Sequence, residues 1–360
     1  MFIMQNKFEE YVVEKNDLGN GLFHGNAGIC LFYHHAERKA KQPELKEKAE
    51  ESFQSTCNNL KSIQSVGFGN GLAGIGWTME YLRQNDFINT DIEKKLEFVD
   101  DAVFNKIVNS ESVNSLDLTT GLTGYLFYCI SRLENPVDIN SPSFLINKEL
   151  IIFIINKIDE IAIDQFTLYT KDLNFDLFWS FPVLFYGLTL AYELNIYNYK
   201  INCIITQWID NLEVYFPSLH INRIYMAMIL SIMNKNIKNP RIERQRNYLL
   251  SSTDFKTLKS EIDPTISNIR HGWYGIIWIL KRATRIIPPN SPNYDDLKCC
   301  YQELRTLYKP ILENSAQQYS RLSQELSTQD QRPVVYIKDT GLSEGWPGIS
   351  LMEMINPALS

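Results

Sequence analysis

His24 stands directly before Gly25 in "GLFHGNAGI", and near the far end His271 stands directly before Gly272 in "IRHGWYGII". Glu344 precedes Gly345 in "GLSEGWPGI" in the same way. An imidazole accepts and donates protons near neutral pH, and a carboxylate can share that work. Two histidines and a glutamate also form a ligand set that some catalytic zinc enzymes use, although the neighbouring Arg270 would repel a cation. A guanidinium suits the opposite task of holding an anion. Hydrogen-bonding to free helix amides is the third use open to these side chains. At this level all three uses stay open.

The elements that must position these residues form a repeat. With the glycine after each polar residue as anchor, "GFGNGLAGI" aligns on "GLFHGNAGI", and "DLTTGLTGY" follows. "WSFPVLFYGLTLAYEL" keeps the apolar pattern without the glycines, placing Ser180 at the anchor. Anchors then fall at 25, 71, 121, 180, 272 and 345. The gap of 92 is twice the first gap of 46, and "LHINRIYMAMILSIM" at 219–233 fills it as a further glycine-free copy. That makes seven units. Between anchors lie amphipathic, charged segments such as "PELKEKAEESFQSTCNNLKSI", "DIEKKLEFVDDAVFNKIV" and "NKELIIFIINKIDEIAI", with apolar residues at helical spacing. The segments after the anchors are apolar on most sides.

Each unit therefore pairs an exposed helix with a buried one, and such a unit needs neighbours to cover it. The expected fold is all-α: an α/α toroid of seven helix pairs spanning residues 1–360 as one barrel, the inner helices opened by G-x-x-G. Glycine there permits positive φ and close approach of the backbone. Inner-helix N-termini with unpaired amides would face one cavity and favour an anion. The residues just before the anchors, His24, Asn70, Thr120, Trp179, a position near Leu219, His271 and Glu344, would line that rim. If the ring closes, unit seven lies between units six and one, so His24, His271 and Glu344 come from adjacent helices. Asn70 and Thr120 are candidate substrate contacts. Trp273 and Trp346, each one residue after its anchor, could wall a peptide site or fill the barrel mouth, and Tyr274 and Asp339 complete the candidate set.

The bulk properties exclude several classes. A net charge of −7 without a basic cluster argues against nucleic acid. The N-terminal stretch has no basic start and apolar core, so no secretory signal is expected. Leu177 to Tyr192, the longest uncharged stretch, is too short to span a membrane and reads as a fully buried helix. The six cysteines, Cys30, Cys57, Cys129, Cys203, Cys299 and Cys300, include no C-x-x-C, which fits buried thiols in a reducing cytoplasm. P-loop, G-x-S-x-G and H-E-x-x-H signatures are absent. An α/α-barrel glycoside hydrolase would want two rim carboxylates, and only Glu344 is evident.

"GLFHGNAGI", "GFGNGLAGI", "TTGLTGY", "RHGWYGI" and "GLSEGWPGI" together resemble the lanthionine synthetase C-like (LanC-like) family, over essentially the whole chain. The resemblance implies a seven-fold α/α barrel. It also implies a zinc ion, held by two cysteines and a histidine, that activates a peptide thiol for addition to dehydroalanine or dehydrobutyrine. The family's C-x-G and C-H-G slots here read Arg270-His271-Gly272 and Ser343-Glu344-Gly345. Both cysteine ligands are missing, so no zinc is expected. The implied role is maturation of a ribosomally made peptide, with a peptide substrate or leader peptide and a dehydratase or other maturation enzyme as partners. Arg270 would then hold an anion, and His24 or His271 would act as acid or base. The alternative is a barrel that binds a peptide or partner enzyme without chemistry.

Overall fold

The computed structural model describes residues 19–308, apart from 59, 110–112, 135, 137, 171–173, 213–215, 265 and 267, together with Ser343. Asp339, Glu344 and Trp346 lie outside the described residues.

The chain alternates two kinds of helix. Six run α1 (Asn26–Ala40), α3 (Leu72–Gln84), α5 (Leu122–Leu133), α7 (Ser180–Glu193), α9 (His220–Ile237) and α12 (Trp273–Ile286). Each of these packs beside the next, so together they form the inner wall. The alternating helices α2 (Pro43–Asn58), α4 (Glu93–Val108), α6 (Pro142–Thr170), α8 (Asn198–Leu212) and α10 (Pro240–Ser251) each lie against the inner helix before them. A short α11 (Phe255–Ser260) follows, and residues 294–308 form a last outer helix. The expected α/α toroid is thus observed. The inner helices are the apolar ones: Leu72, Ala73, Ile75, Met79 and Leu82 of α3 are all at most 2% exposed. The seventh inner helix would begin beyond Gly345, outside the described residues.

Ser343 nevertheless shows how the ring closes. Its N–H donates to the carbonyl of Phe23 (3.4 Å), and its own carbonyl accepts from the N–H of Arg270 (3.2 Å). Unit seven therefore sits between units one and six. Further round, Phe23 N–H donates to Gly69 O (2.8 Å) and Gly69 N–H to Thr119 O (2.9 Å). Successive rim loops are stitched by backbone hydrogen bonds.

Within a unit the loop folds back on its own helix start. The first helical N–H bonds the carbonyl seven residues earlier in four units: Asn26 to Gly19, Leu72 to Ser65, Leu122 to Ser115 and Trp273 to Ile266, at 2.8–3.0 Å. Glycine is required by this closeness. A Cβ on Gly25 would lie 2.2 Å from Gly19 O, and one on Gly272 would lie 2.4 Å from Ile266 O. No glycine among the described residues has positive φ, so of the two expected reasons for glycine the close approach holds and the left-handed turn does not. The expected floor of unpaired amides is narrowed too, because a loop carbonyl takes the first N–H of each of these four helices. In glycine-free unit five the equivalent amide, His220 N–H, donates to the Glu261 carboxylate (3.0 Å).

Away from the rim, α3 to α6 are joined by a buried polar knot. Arg132 of α5 reaches Asp100 (3.0 Å) and Glu93 (2.7 Å) of α4 and also pairs with Glu80 of α3. Asp100 additionally accepts from Tyr128 (2.7 Å), Asn147 (2.9 Å) and Ser143. A buried guanidinium is tolerable only when its donors are met in this way.

Candidate active site at the rim

The loop that precedes α7 fills the middle of the rim. Residues 174–179 lack the G-x-x-G fold-back and turn inward instead. Phe178 stacks on Phe23 of unit one with ring centres 4.4 Å apart. Leu177 N–H donates to Arg270 O of unit six (2.8 Å), and Tyr225 of α9 donates its hydroxyl to Leu177 O (2.9 Å). The loop of glycine-free unit four therefore spans from unit six to unit one.

Arg270 lies on this loop. Its Nε and one terminal nitrogen each donate to a different oxygen of Asp176, both at 3.1 Å. Its guanidinium also sits 5.1 Å from the centre of the Phe178 ring, a cation–π distance. The ion pair is about a quarter exposed, with side-chain values of 26% and 28%, so its outer face meets solvent. The positive charge is fixed in place by two prongs and a ring.

His271 is oriented by the same loop. Its Nδ1 lies 3.2 Å from the carbonyl of Phe175 and 4.0 Å from the Asp176 carboxylate. A carbonyl only accepts, so the contact puts the proton on Nδ1 and leaves Nε2 able to take one. The backbone beneath is set by Asn268, whose side-chain oxygen accepts from His271 N–H (2.7 Å) and Gly272 N–H (3.2 Å).

His24 faces Ser343, with Nε2 3.1 Å from the hydroxyl oxygen. Its backbone N–H donates to the side chain of Asn70 (3.1 Å). Asn70 is therefore placed as a brace between units one and two. Thr120 is exposed at the rim, its hydroxyl within 3.3–3.4 Å of Asp117. Asp117 also accepts from Ser115 and from the amides of Thr119 and Thr120. Burial raises its pKa, but these hydrogen bonds outweigh it and hold the carboxyl below the usual value. Trp273, proposed as a peptide wall, is 1% exposed and stacks on Tyr308 of the last outer helix (4.6 Å). Tyr274 is likewise buried at 6%. Trp273, at the first helical position, thus belongs to the packing between the rings.

The structure thus joins His24, Ser343 and Arg270–His271 through one residue's backbone and hydroxyl, while Glu344 and Asp339 fall outside the described residues. Asp176, Phe178 and Asn268 escaped the sequence reading. A signal existed: Asp117, Asp176 and Asn268 each stand four residues before an anchor.

The motif resemblance implies a zinc ion held by two cysteines and a histidine, and Arg270 and Ser343 align with the cysteines. A guanidinium beside the site opposes a divalent cation. Among the described residues, no three His, Cys, Asp or Glu side chains gather to hold a metal ion. Cys30, Cys57, Cys129 and Cys300 are buried, and Cys203 and Cys299 are exposed elsewhere. Nor is any helix among the described residues long and apolar enough to cross a membrane.

Comparison with known proteins agrees with the motifs. Residues 16–178 match the family model described as lanthionine synthetase C-like protein. No curated protein matches. Among solved structures, a nisin cyclase superposes with a TM-score of 0.64 at 16% identity, covering 99% of this chain and 93% of that one. The chain thus carries the lanthionine synthetase C-like sequence signature over residues 16–178 and, across its length, the α/α toroid fold of a nisin cyclase.

Proposed function

We propose that this protein modifies a ribosomally made peptide, adding a cysteine thiol to a dehydrated residue at the rim, without the zinc of its relatives. The observation that carries the reading is Arg270, held by Asp176 at a position where the family pattern has a metal-binding cysteine. A fixed guanidinium can face the negative charge that develops on the substrate carbonyl oxygen during the addition. His271 Nε2 takes the thiol proton, and sulfur bonds to the β-carbon of the dehydro residue. The electron pair of the double bond moves to the enolate, and the imidazolium returns a proton to the α-carbon. His24, hydrogen-bonded to Ser343 on the far side of unit seven from His271, is a second proton carrier. Peptide, leader segment and an upstream dehydrating enzyme are the partners this chemistry calls for, and a reducing compartment would keep the substrate thiol free.

The test uses protein purified without a histidine tag. Metal content is measured, and the protein is incubated with a dehydrated peptide containing one cysteine. Ring formation is read from loss of alkylatable thiol and from fragmentation mass spectra. Rings at substoichiometric zinc, unaffected by a chelator, are expected. Stoichiometric zinc, or activity abolished by the chelator, would overturn the metal-free mechanism.

A second reading has its own observation. The Phe23–Phe178 stack covers the mouth and Arg270 is already paired, an arrangement that suits peptide binding without chemistry. Tight peptide binding with no ring above the uncatalysed background would favour it.

A further inference from the structure

The inner wall bears a layer of large aromatics that the rim chemistry leaves unused. Trp77, Phe127, Tyr186 and Trp278 each stand six residues after an anchor position, and so about 9 Å along their helices from the rim. All four are partly exposed although they belong to inner helices, and Tyr186 reaches 36%. Leu177 to Tyr192, read from sequence as buried throughout, is open to solvent at this residue. Phe127 and Tyr186 are 6.0 Å apart, and Phe68 links Phe127 to Trp77 at 6.2 and 5.9 Å.

These rings face the barrel axis. Arg282 of α12 is near enough for its charge to act on Tyr186 of α7, yet α9 stands between those helices in the wall. The shared height of the four rings on the inner helices, and their exposure there, likewise place them on the inside of the ring. Burial pushes the Tyr186 hydroxyl up even though a third of the residue meets solvent, as expected for a group lining a concavity. Toward the far mouth lie Glu134 and Glu193, whose charges also act on Tyr186, opposing that of Arg282. Burial, then the Glu193 charge, pushes the Glu134 carboxyl up.

Two donors here lack acceptors. The Trp278 ring N–H is buried with no hydrogen-bond partner. Arg282 is only partly exposed and has no acid within ion-pair distance among the described residues; its neighbour is the Trp278 ring, 5.7 Å away. A guanidinium, an indole N–H and a phenol between aromatic walls favour one ligand chemistry. We infer that the barrel lumen, on the side away from the rim, binds a small carboxylate with a flat apolar body, the carboxylate on Arg282 and the body between Trp77, Phe127, Tyr186 and Trp278. This site is separate from the rim and does not rest on the thiol-addition reading.

Full-length protein is titrated with benzoate, 3-phenylpropionate and indole-3-propionate, with 3-phenylpropionamide and phenethylamine as neutral and cationic controls. Binding is read by saturation-transfer NMR and calorimetry. At least one carboxylate should bind about tenfold more tightly than the amide or the amine. Arg282→Gln should erase that preference, Arg282→Lys should keep part of it, and Trp278→Phe should weaken binding of all probes. Circular dichroism melts confirm that the variants fold, and Arg282→Lys serves if Arg282→Gln does not. No binding by any carboxylate, equal affinity for acid and amide, preference for the amine, or a preference untouched at Arg282 would overturn the inference.

Discussion

Arg270 could be a structural cation or a functional one, and its surroundings separate the two. An ion pair about three-quarters buried falls between exposed pairs worth up to about 1 kcal/mol and buried ones that cost about 3–5 kcal/mol to break, so its worth to the fold is modest. Its worth to an anionic transition state is larger, since both prongs and the Phe178 ring hold it fixed before substrate arrives. Arg270→Gln should therefore leave the melting temperature within a few degrees of the parent while slowing thioether formation about 10- to 100-fold. Arg270→Lys keeps the charge but loses the two-pronged grip, so its rate should fall between the two. A variant that folds and turns over at the parent rate would remove Arg270 from the chemistry. The sequence already offered His24 and His271, because each flanks an anchor glycine, and Arg270 as the neighbour of His271. Asp176 was hidden because its own anchor is Ser180, so its place four residues upstream does not show until the units are superposed. For Trp273 the sequence left two uses open, a peptide wall or a filler, and its burial against Tyr308 has a geometric reason. One step past a helix start, a side chain can face the outer ring instead of the mouth, and Tyr308, which it stacks on, is far away in sequence.

The helix starts show how one residue type serves two purposes. In glycine-capped units the loop carbonyl presses on the anchor α-carbon, so any side chain collides with backbone, which cannot rotate away. Gly187 is different: it lies inside α7, and a Cβ there first meets the flexible end of Leu126 at 3.2 Å. Gly272→Ala should cost about 2 kcal/mol or more, since the fold-back hydrogen bond Trp273 N–H to Ile266 O must open. Gly187→Ala should change stability by less than about 1 kcal/mol, helped by the lower entropy of the unfolded chain. Paired urea melts decide this. Equal losses would mean that the close approach is relaxed in solution. Helix existence, the inner and outer roles and the anchor positions were legible, because apolar pattern and glycine spacing repeat. The fold-back bonds were not, since an N–H paired seven residues upstream leaves no trace in residue type except the glycine, which also permits positive φ.

The two ends of the barrel are fastened by different chemistry, which gives the whole molecule a direction in which to fail. The rim is stitched by backbone bonds and by Asp117. Past the middle of α1, toward its other end, His34 is 6% exposed with an unpartnered Nε2, and His35 meets the Tyr81 hydroxyl at 2.9 Å. Burial first, then the Arg38 charge, lowers both imidazoles from 6.5 to about 4. Above pH ~6.5 the folded and unfolded histidines are both neutral and contribute nothing to pH dependence. As pH falls below that value the unfolded chain takes up protons that the folded chain refuses until about 4. Stability is therefore lost across that window, on the order of 3 kcal/mol for His34 alone. Asp117 acts later: its folded pKa is depressed, so its stabilisation is present above the unfolded value and disappears only as pH drops through the lower folded one. Acid should open the far end before the rim. Hydrogen-exchange protection factors in the last turns of α1 and α3 should fall between pH ~6.5 and ~4 while those at residues 117–124 persist. The double variant His34→Gln, His35→Gln should flatten that first loss. Rim amides that release first, or a far end indifferent to pH in this window, would show that the two histidines are not what fastens it.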